Sequence, residues 1–263
     1  MPHLFIDPLY VLSGVAVGSL VGFTGVGGGS LMTPLLILAF GIHPATAVGT
    51  DLLYASVTKA AGSAVHGRAK TIDWKVVGLL ALGSVPMALL TLGALYVLGI
   101  DGKATQGLIT RVLGGALLAT ACLLIARKPL MRWHDRHLSG MSPRLVARLT
   151  VLTGAILGIL VTLSSVGAGA IGVTALVLLY PRMPSQRIVG SDIAHAVPLT
   201  LVAGLGHSML GMVDLHILVS LLCGSIPAIV LSSIASARVP EPVVRVALAS
   251  VLLMVCARFW FLA

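Results

Sequence analysis

Charge is what this chain most lacks. Only 10% of its 263 residues are charged, and just 8 are acidic, whereas soluble domains run at about 25% charged. That scarcity excludes an ordinary soluble domain, which would need far more polar surface, and also a disordered chain, which needs charge and little apolar content. Cysteine is scarce too. Cys122, Cys223 and Cys256 all fall in apolar runs and at no metal-ligand spacing. A disulfide scaffold is therefore excluded, and the three read as small core residues. The opening segment, MPHLFIDPLY, has no basic region, so no cleavable signal is expected there. What is present is apolar: 57% of residues are hydrophobic and the mean hydropathy is +1.07. The chain reads as an all-α polytopic membrane protein. Its 17 Lys and Arg against 8 Asp and Glu would hint at nucleic acid in a soluble protein. Here they read as loop charge that sets topology. Membrane lipid is the expected surrounding, and no nucleic-acid partner is expected.

Apolar blocks run roughly over 9–40, 44–65, 76–98 and 106–126, and then over 149–180, 186–209, 215–235 and 246–262. Most match one crossing of a hydrocarbon core ~30 Å thick. Blocks 9–40 and 149–180 are too long for one crossing and are interrupted by GFTGVGGGS and SSVGAGAIG. Each is expected to be two shorter helices flanking a break. The halves also repeat. Gly27 and Gly29 match Gly167 and Gly169 at an offset of 140. VGTD at 48–51 matches VGSD at 189–192 at an offset of 141, and that offset also carries His66 onto His207, Asp73 onto Asp214 and GSVP at 83–86 onto GSIP at 224–227. The expected organisation is a first transmembrane repeat over 1–126, a basic cytoplasmic linker over 127–148 and a second repeat over 149–263. Arg68, Lys70 and Lys75 mark a cytoplasmic loop in the first half, but equivalent loops in the second half show the opposite preference. By the positive-inside rule the repeats are then inverted, each with a Gly-broken hairpin and three transmembrane helices, and both termini lie outside.

The breaks and the buried charges are the candidate sites. Backbone can break inside a membrane only where protein buries it or a cavity wets it. Gly25, Gly27, Gly28 and Gly29 let the chain turn, and the half-helix starting near Ser30 would aim its positive end at the break. Gly167 and Gly169, beside Ser164 and Ser165, do the same in the second half. Two such ends near the midplane suit an anion. Close helix packing by small residues is the competing reading. GVGGGS is not a nucleotide-type phosphate loop, since the Lys-Ser/Thr ending is missing. Asp51 and Asp192 lie about seven residues, ~10 Å of helix rise, into their spans. Carboxylates at that depth are functional candidates by default. A proton relay, a cation ligand or a partner for Lys59 all fit them, against a structural Asp–Lys network.

Lys59 lies two turns beyond Asp51, where it would compensate an anionic substrate; its counterpart is Thr200. His195 shares the face of Asp192, and an imidazole–carboxylate pair carries protons near neutral pH. Tyr54 takes the equivalent place and offers a hydroxyl to an oxyanion. His66 and His207 fall at the far ends of their spans, where the membrane interface is their expected place. Asp73 and Asp214 read as helix caps.

The stretches GFTGVGGGSLMTPLL and HPATAVGTDLLYASVTKAAG, with the second copy SSVGAGAIGVTALVLLYPRMPSQRIVGSDIAHAVPLT, resemble the sulfite exporter TauE/SafE family of permeases. The resemblance implies a multi-pass permease of the bacterial inner membrane for sulfite, organosulfonates or related anions. It maps the family's glycine-rich segments onto Gly25–Ser30 and Ser164–Gly169. In the second copy Ala168 and Ala170 replace Gly28 and Ser30, so the two breaks are not chemically equal. The expected function is a secondary carrier for a small anion, with protons as the coupling ion. Gly25, Gly27, Gly28, Gly29, Ser30, Tyr54, Lys59, Ser164, Ser165, Gly167 and Gly169 would bind substrate, and Asp51, Asp192 and His195 would couple protons. The alternative is a divalent cation carrier using the membrane-embedded Asp and His residues. No catalytic motif or cofactor site is legible, and self-association into a homo-oligomer stays open.

Overall fold

The computed structural model describes residues 6–24, 29–99, 103–137 and 141–235, together with the helical positions 250 and 254. The block expected over 246–262 and the loop Gly25–Gly28 therefore lie outside the described residues, apart from those two positions. Nine α-helices are described: α1 (Pro8–Thr24), α2 (Gly29–Phe40), α3 (Pro44–Arg68), α4 (Trp74–Leu98), α5 (Lys103–His137), α6 (Pro143–Ser164), α7 (Ala170–Leu179), α8 (Ser185–Met209) and α9 (Leu215–Ala235). Among the described residues, five segments are long and apolar enough to cross a membrane: Trp74–Leu98, Gln106–Leu123, Pro143–Ser164, Ser185–Met209 and Leu215–Ser232. The protein is an all-α polytopic membrane protein.

Local chemistry sets the helix ends. The Asp73 carboxylate accepts from the amides of Lys75 and Val76 at the start of α4. Asp214 accepts from the Ile217 amide at the start of α9. Both aspartates are thus the caps that their positions suggest. Ser142 caps α6, with Pro143 in the first turn, where a missing N–H costs nothing. Helices α3 and α8 end alike. The chain turns left-handed at Lys70 (φ 54°) and Gly211 (φ 73°), and the amides of Thr71 and Met212 reach back to the carbonyls of His66 and His207 at 3.0 and 2.9 Å. This is the six-to-one closure of a Schellman turn.

The basic stretch 127–148 is mostly helix: α5 continues to His137 and α6 begins at Pro143. Apolarity marks only the part of a helix that meets lipid; its backbone hydrogen bonds continue into the polar part. Exposed Leu82, Leu89, Leu90 and Val97 on α4, Leu152 and Ile156 on α6 and Leu231 on α9 form the apolar outer surface. Cys122 and Cys223 are also exposed, which corrects their reading as core residues: small apolar side chains suit a lipid-facing position as well as an interior one.

The halves embrace each other. Helix α1 packs on α9, α4 on α6, and α3 on α8. A Cβ built on Gly83 would overlap the Val151 carbonyl, and one on Gly224 would overlap the Val11 carbonyl. Only glycine permits so close a crossing. The two crossings correspond at the offset of the sequence repeat. Hydrogen bonds repeat the pattern: Ser191 Oγ accepts from the Asp73 amide at 2.8 Å, and Thr50 Oγ1 accepts from the Asp214 amide at 3.0 Å.

Candidate functional site

At the centre, α3 and α8 carry polar groups into an otherwise apolar interior. Asp51, Asp192 and His195 are at most 1% exposed and Lys59 is 5% exposed. An ionised group at that depth persists only with partners.

The break between α6 and α7 supplies one set of partners. The chain turns left-handed at Ser165 (φ 57°), and Gly167 and Gly169 hold φ of 124° and 129°, a region nearly closed to side-chain-bearing residues. Ser164 serves the turn itself. Its hydroxyl donates to the Leu160 carbonyl at 2.6 Å and accepts from the Val166 amide at 3.2 Å. Ser165 Oγ is buried without a hydrogen-bond partner among the described residues and stands beside Asp51. The amides of Ala168, Gly169, Ala170 and Ile171 likewise have no hydrogen bond among the described residues. Four donors at the positive end of α7 are therefore available.

Lys59 Nζ donates to the Ala168 carbonyl at 3.1 Å. A side chain of the first half thus reaches into the break of the second. An ammonium has three donors, and only this one is engaged among the described residues. Lys59 makes an ion pair within 4 Å with neither Asp51 nor Asp192 among the described residues. Thus the expected Asp51–Lys59 pair along α3 is not formed. Sequence spacing compared residues on one helix, whereas packing between distant segments gives Lys59 the Ala168 carbonyl.

The two aspartates sit in different surroundings. Asp51 Oδ2 accepts from the Thr33 hydroxyl at 2.5 Å and from the Thr33 amide at 3.2 Å, which ties α3 to α2. Asp192 lies against α7, where a Cβ on Gly172 would overlap its Oδ1. Gly172 therefore leaves the space that this carboxylate fills. Asp51 Oδ1 and Asp192 Oδ1 are both buried without a hydrogen-bond partner among the described residues, as is the Tyr54 hydroxyl. Most buried polar atoms in folded proteins are paired, so such a group of orphans points to a ligand or water.

The histidines depart from expectation. His195 Nε2 bonds Ser84 Oγ on α4 at 2.8 Å instead of pairing with Asp192, because its ring turns toward the neighbouring helix. His207 lies in the last turn of α8, fully buried, with Nε2 on the Thr162 carbonyl at 2.9 Å. His66, partly exposed with Nδ1 on Thr71 Oγ1 at 2.8 Å, lies in the last turn of α3. Gly29 opens α2, so that helix starts where the first break was placed; Gly25, Gly27 and Gly28 are outside the described residues, as is the side chain of Ser30. Thr33, Ser84 and the Ala168 carbonyl were not legible as site members, since each enters through a contact between distant segments. Among the described residues no cluster of three or more His, Cys, Asp or Glu could hold a metal ion.

A helical membrane protein with a broken helix at its centre, aimed at buried and partly unpaired charges, has the build of a membrane transporter of the permease class. The comparisons agree. The family model described as sulfite exporter TauE/SafE matches residues 10–259, and the chain belongs to that family. It is 40% identical over 245 residues to the "Probable membrane transporter protein YjnA" of Bacillus subtilis, covering 93% of this chain and 96% of that protein. It is 29% identical over 217 residues to a "Probable membrane transporter protein" of Xylella fastidiosa, covering 81% of this chain and 78% of that one. A similarly described protein of Methanocaldococcus jannaschii is 28% identical over 207 residues, covering 77% and 72%. No solved structure matches. The chain is a multi-pass protein of the inner membrane.

Proposed function

We propose that this transporter is a secondary carrier for a small anion such as sulfite, an organosulfonate or a related oxyanion, coupled to protons. The observation that carries the reading is Lys59. It is buried, has donors to spare, and is held by the Ala168 carbonyl at the mouth of α7, beside unpaired backbone amides and the buried Ser165 hydroxyl. Ammonium, amides and hydroxyl all donate, which is the chemistry that an oxyanion needs.

Charge balance supports the coupling. Lys59, Asp51 and Asp192, all ionised, sum to one negative charge, and an arriving anion would raise that to two in a dry interior. A proton on one carboxylate restores the balance, so anion and proton enter together. Asp192 is the better proton carrier, since Asp51 is already engaged by Thr33. His195 stands one turn along α8 with Nδ1 unpaired among the described residues, and relays the proton. Gly167 and Gly169 shape the site, Ser164 holds its turn, and Tyr54 offers its hydroxyl.

The inverted-repeat architecture belongs to the same proposal. It is supported by the reciprocal pairing of α1 with α9 and α6 with α4 and by the matched Ser191 and Thr50 bonds. In it residues 1–126 and 149–263 form the halves, and each glycine break faces the midplane. The test is flux in proteoliposomes across sulfite, sulfate, ethanesulfonate and chloride, with and without an imposed pH gradient. Oxyanion uptake that follows the gradient is expected. Flux that ignores every anion offered would end the reading.

A further inference from the structure

We propose a second anion-binding site, separate from the Lys59 centre, in the cavity where the starts of α4, α6 and α8 meet the end of α7. It takes an organic anion with one charged head and a small apolar body. The inference rests on the anion-carrier reading and adds where the substrate first docks.

The cavity measures about 760 Å³, within the range of small-molecule sites. Its charged lining is Lys75, Arg182 and Arg187 against Asp73 alone, and its other walls are largely apolar, including Leu79, Val146 and Leu179. Arg187 Nη2 meets Asp73 Oδ2 at 3.3 Å, so that pair is internally balanced. The side chains of Lys75 and Arg182 have no ion-pair or hydrogen-bond partner among the described residues. Two uncommitted cations over an apolar wall fit an anionic head on an apolar body better than a fully hydrated inorganic ion.

The other half builds the same place differently. In the register of the repeat, Tyr10 corresponds to Thr150, Phe40 to Tyr180 and His216 to Lys75. There the Tyr10 and Phe40 rings lie 4.6 Å apart, and His216 meets Tyr10 edge-on at 6.4 Å. Arg182 and Arg187 have no cationic counterpart, since Gly41 and Thr46 take those positions. One end of the pseudo-symmetric core is thus stacked with rings, while the other holds a cationic hollow.

The hollow also leads inward. Its lining residues Val76, Tyr180 and Met183 belong to an apolar cluster with Leu176, Val177 and Ile188. Leu176 and Ile188 each lie one helical turn, about 5.4 Å, from Gly172 and Asp192. Along α7 and α8, Leu176 and Ile188 thus fall between the cavity's lining residues Leu179 and Arg187 and the central Gly172 and Asp192.

The experiment measures ethanesulfonate binding to the purified full-length protein by calorimetry. The wild type is compared with Lys75→Gln/Arg182→Gln, Arg182→Lys and Lys59→Met. Two exposed charge contacts are lost in the double variant, so its cavity affinity should fall roughly tenfold. Arg182→Lys should retain it, and Lys59→Met should retain the cavity component while losing the central one. Both cavity cations are exposed, so their removal leaves the core intact. Wild-type binding by the double variant would overturn the site, as would loss of all binding in Lys59→Met. The source of the anion is tested in nanodiscs. A cavity component present in phosphatidylcholine but gone in phosphatidylglycerol would assign the hollow to a lipid headgroup and overturn a solute site. Retained cavity binding without flux of any anion would refute the carrier reading alone and leave the cavity site standing.

Discussion

Replacing Lys59 with methionine separates a transport role from a structural one. An ammonium at the centre of a membrane helix costs about 2.5–3.5 kcal/mol on insertion scales, and methionine removes that cost while filling similar space. Against this stands the bond to the Ala168 carbonyl at 3.1 Å; leaving that buried acceptor unpaired costs about 1–3 kcal/mol. The two nearly cancel, so Lys59→Met should insert, purify and melt close to the wild type. The effect on an anion is far larger. At ~4 Å and an effective dielectric of ~20, an ammonium attracts a unit anion by about 4 kcal/mol, close to a thousandfold in affinity. Uptake of the best substrate in proteoliposomes should therefore fall at least a hundredfold, a conservative floor on that arithmetic. Lys59→Arg keeps the charge in a wider, planar head and should show intermediate flux. Normal uptake by a well-folded Lys59→Met would refute the reasoning, because no other cation reaches this part of the interior among the described residues.

Further outcomes can be measured directly. Asp192→Asn should abolish gradient-driven accumulation while permitting substrate exchange, whereas Asp51→Asn, whose amide oxygen can still accept from Thr33, should lower flux that continues to follow the gradient. Gly172→Ala should push the Asp192 carboxylate from its place, costing about 1–3 kcal/mol as overpacking, seen as a lower melting temperature together with lost flux; an unchanged melt would show that α7 yields freely. Cysteine-accessibility labelling should find 127–148 on the cytoplasmic side and both termini outside. A cytoplasmic C-terminus would refute the inverted arrangement.

Much of the architecture was legible because lipid imposes a simple grammar. Apolar blocks became helices, and the overlong block 149–180 divided at Ser165–Gly169, where small residues interrupt it. Asp73 and Asp214 were readable as caps because capping is local. The reach of α5 to His137 was not, since hydropathy stops marking a helix once it leaves the hydrocarbon. The site was only half visible. Lys59, Asp51 and Asp192 stood out by their cost in an apolar setting, but their partners did not. Thr33, Ser84, Thr162 and the Ala168 carbonyl are ordinary residues made relevant by packing between segments up to 111 residues apart. Spacing on one helix suggested Asp51 for Lys59 and Asp192 for His195; tertiary packing gave both side chains other partners.

The interlocking of the halves has a consequence for biosynthesis. Helix α1 leaves the ribosome well before α9, yet the surface that receives it is on α9. Gly14 is shaped to meet the Leu221 backbone, just over 200 residues later in the chain. At roughly 5–20 residues per second that partner is made about 10–40 s after α1. Until then the glycine face of α1 is without the helix that covers it, and the Asp7 amide is without Ser220 Oγ. Helix α6, by contrast, finds α4 already in place. The first half therefore cannot complete its packing during its own synthesis; only the arrival of the second half closes it.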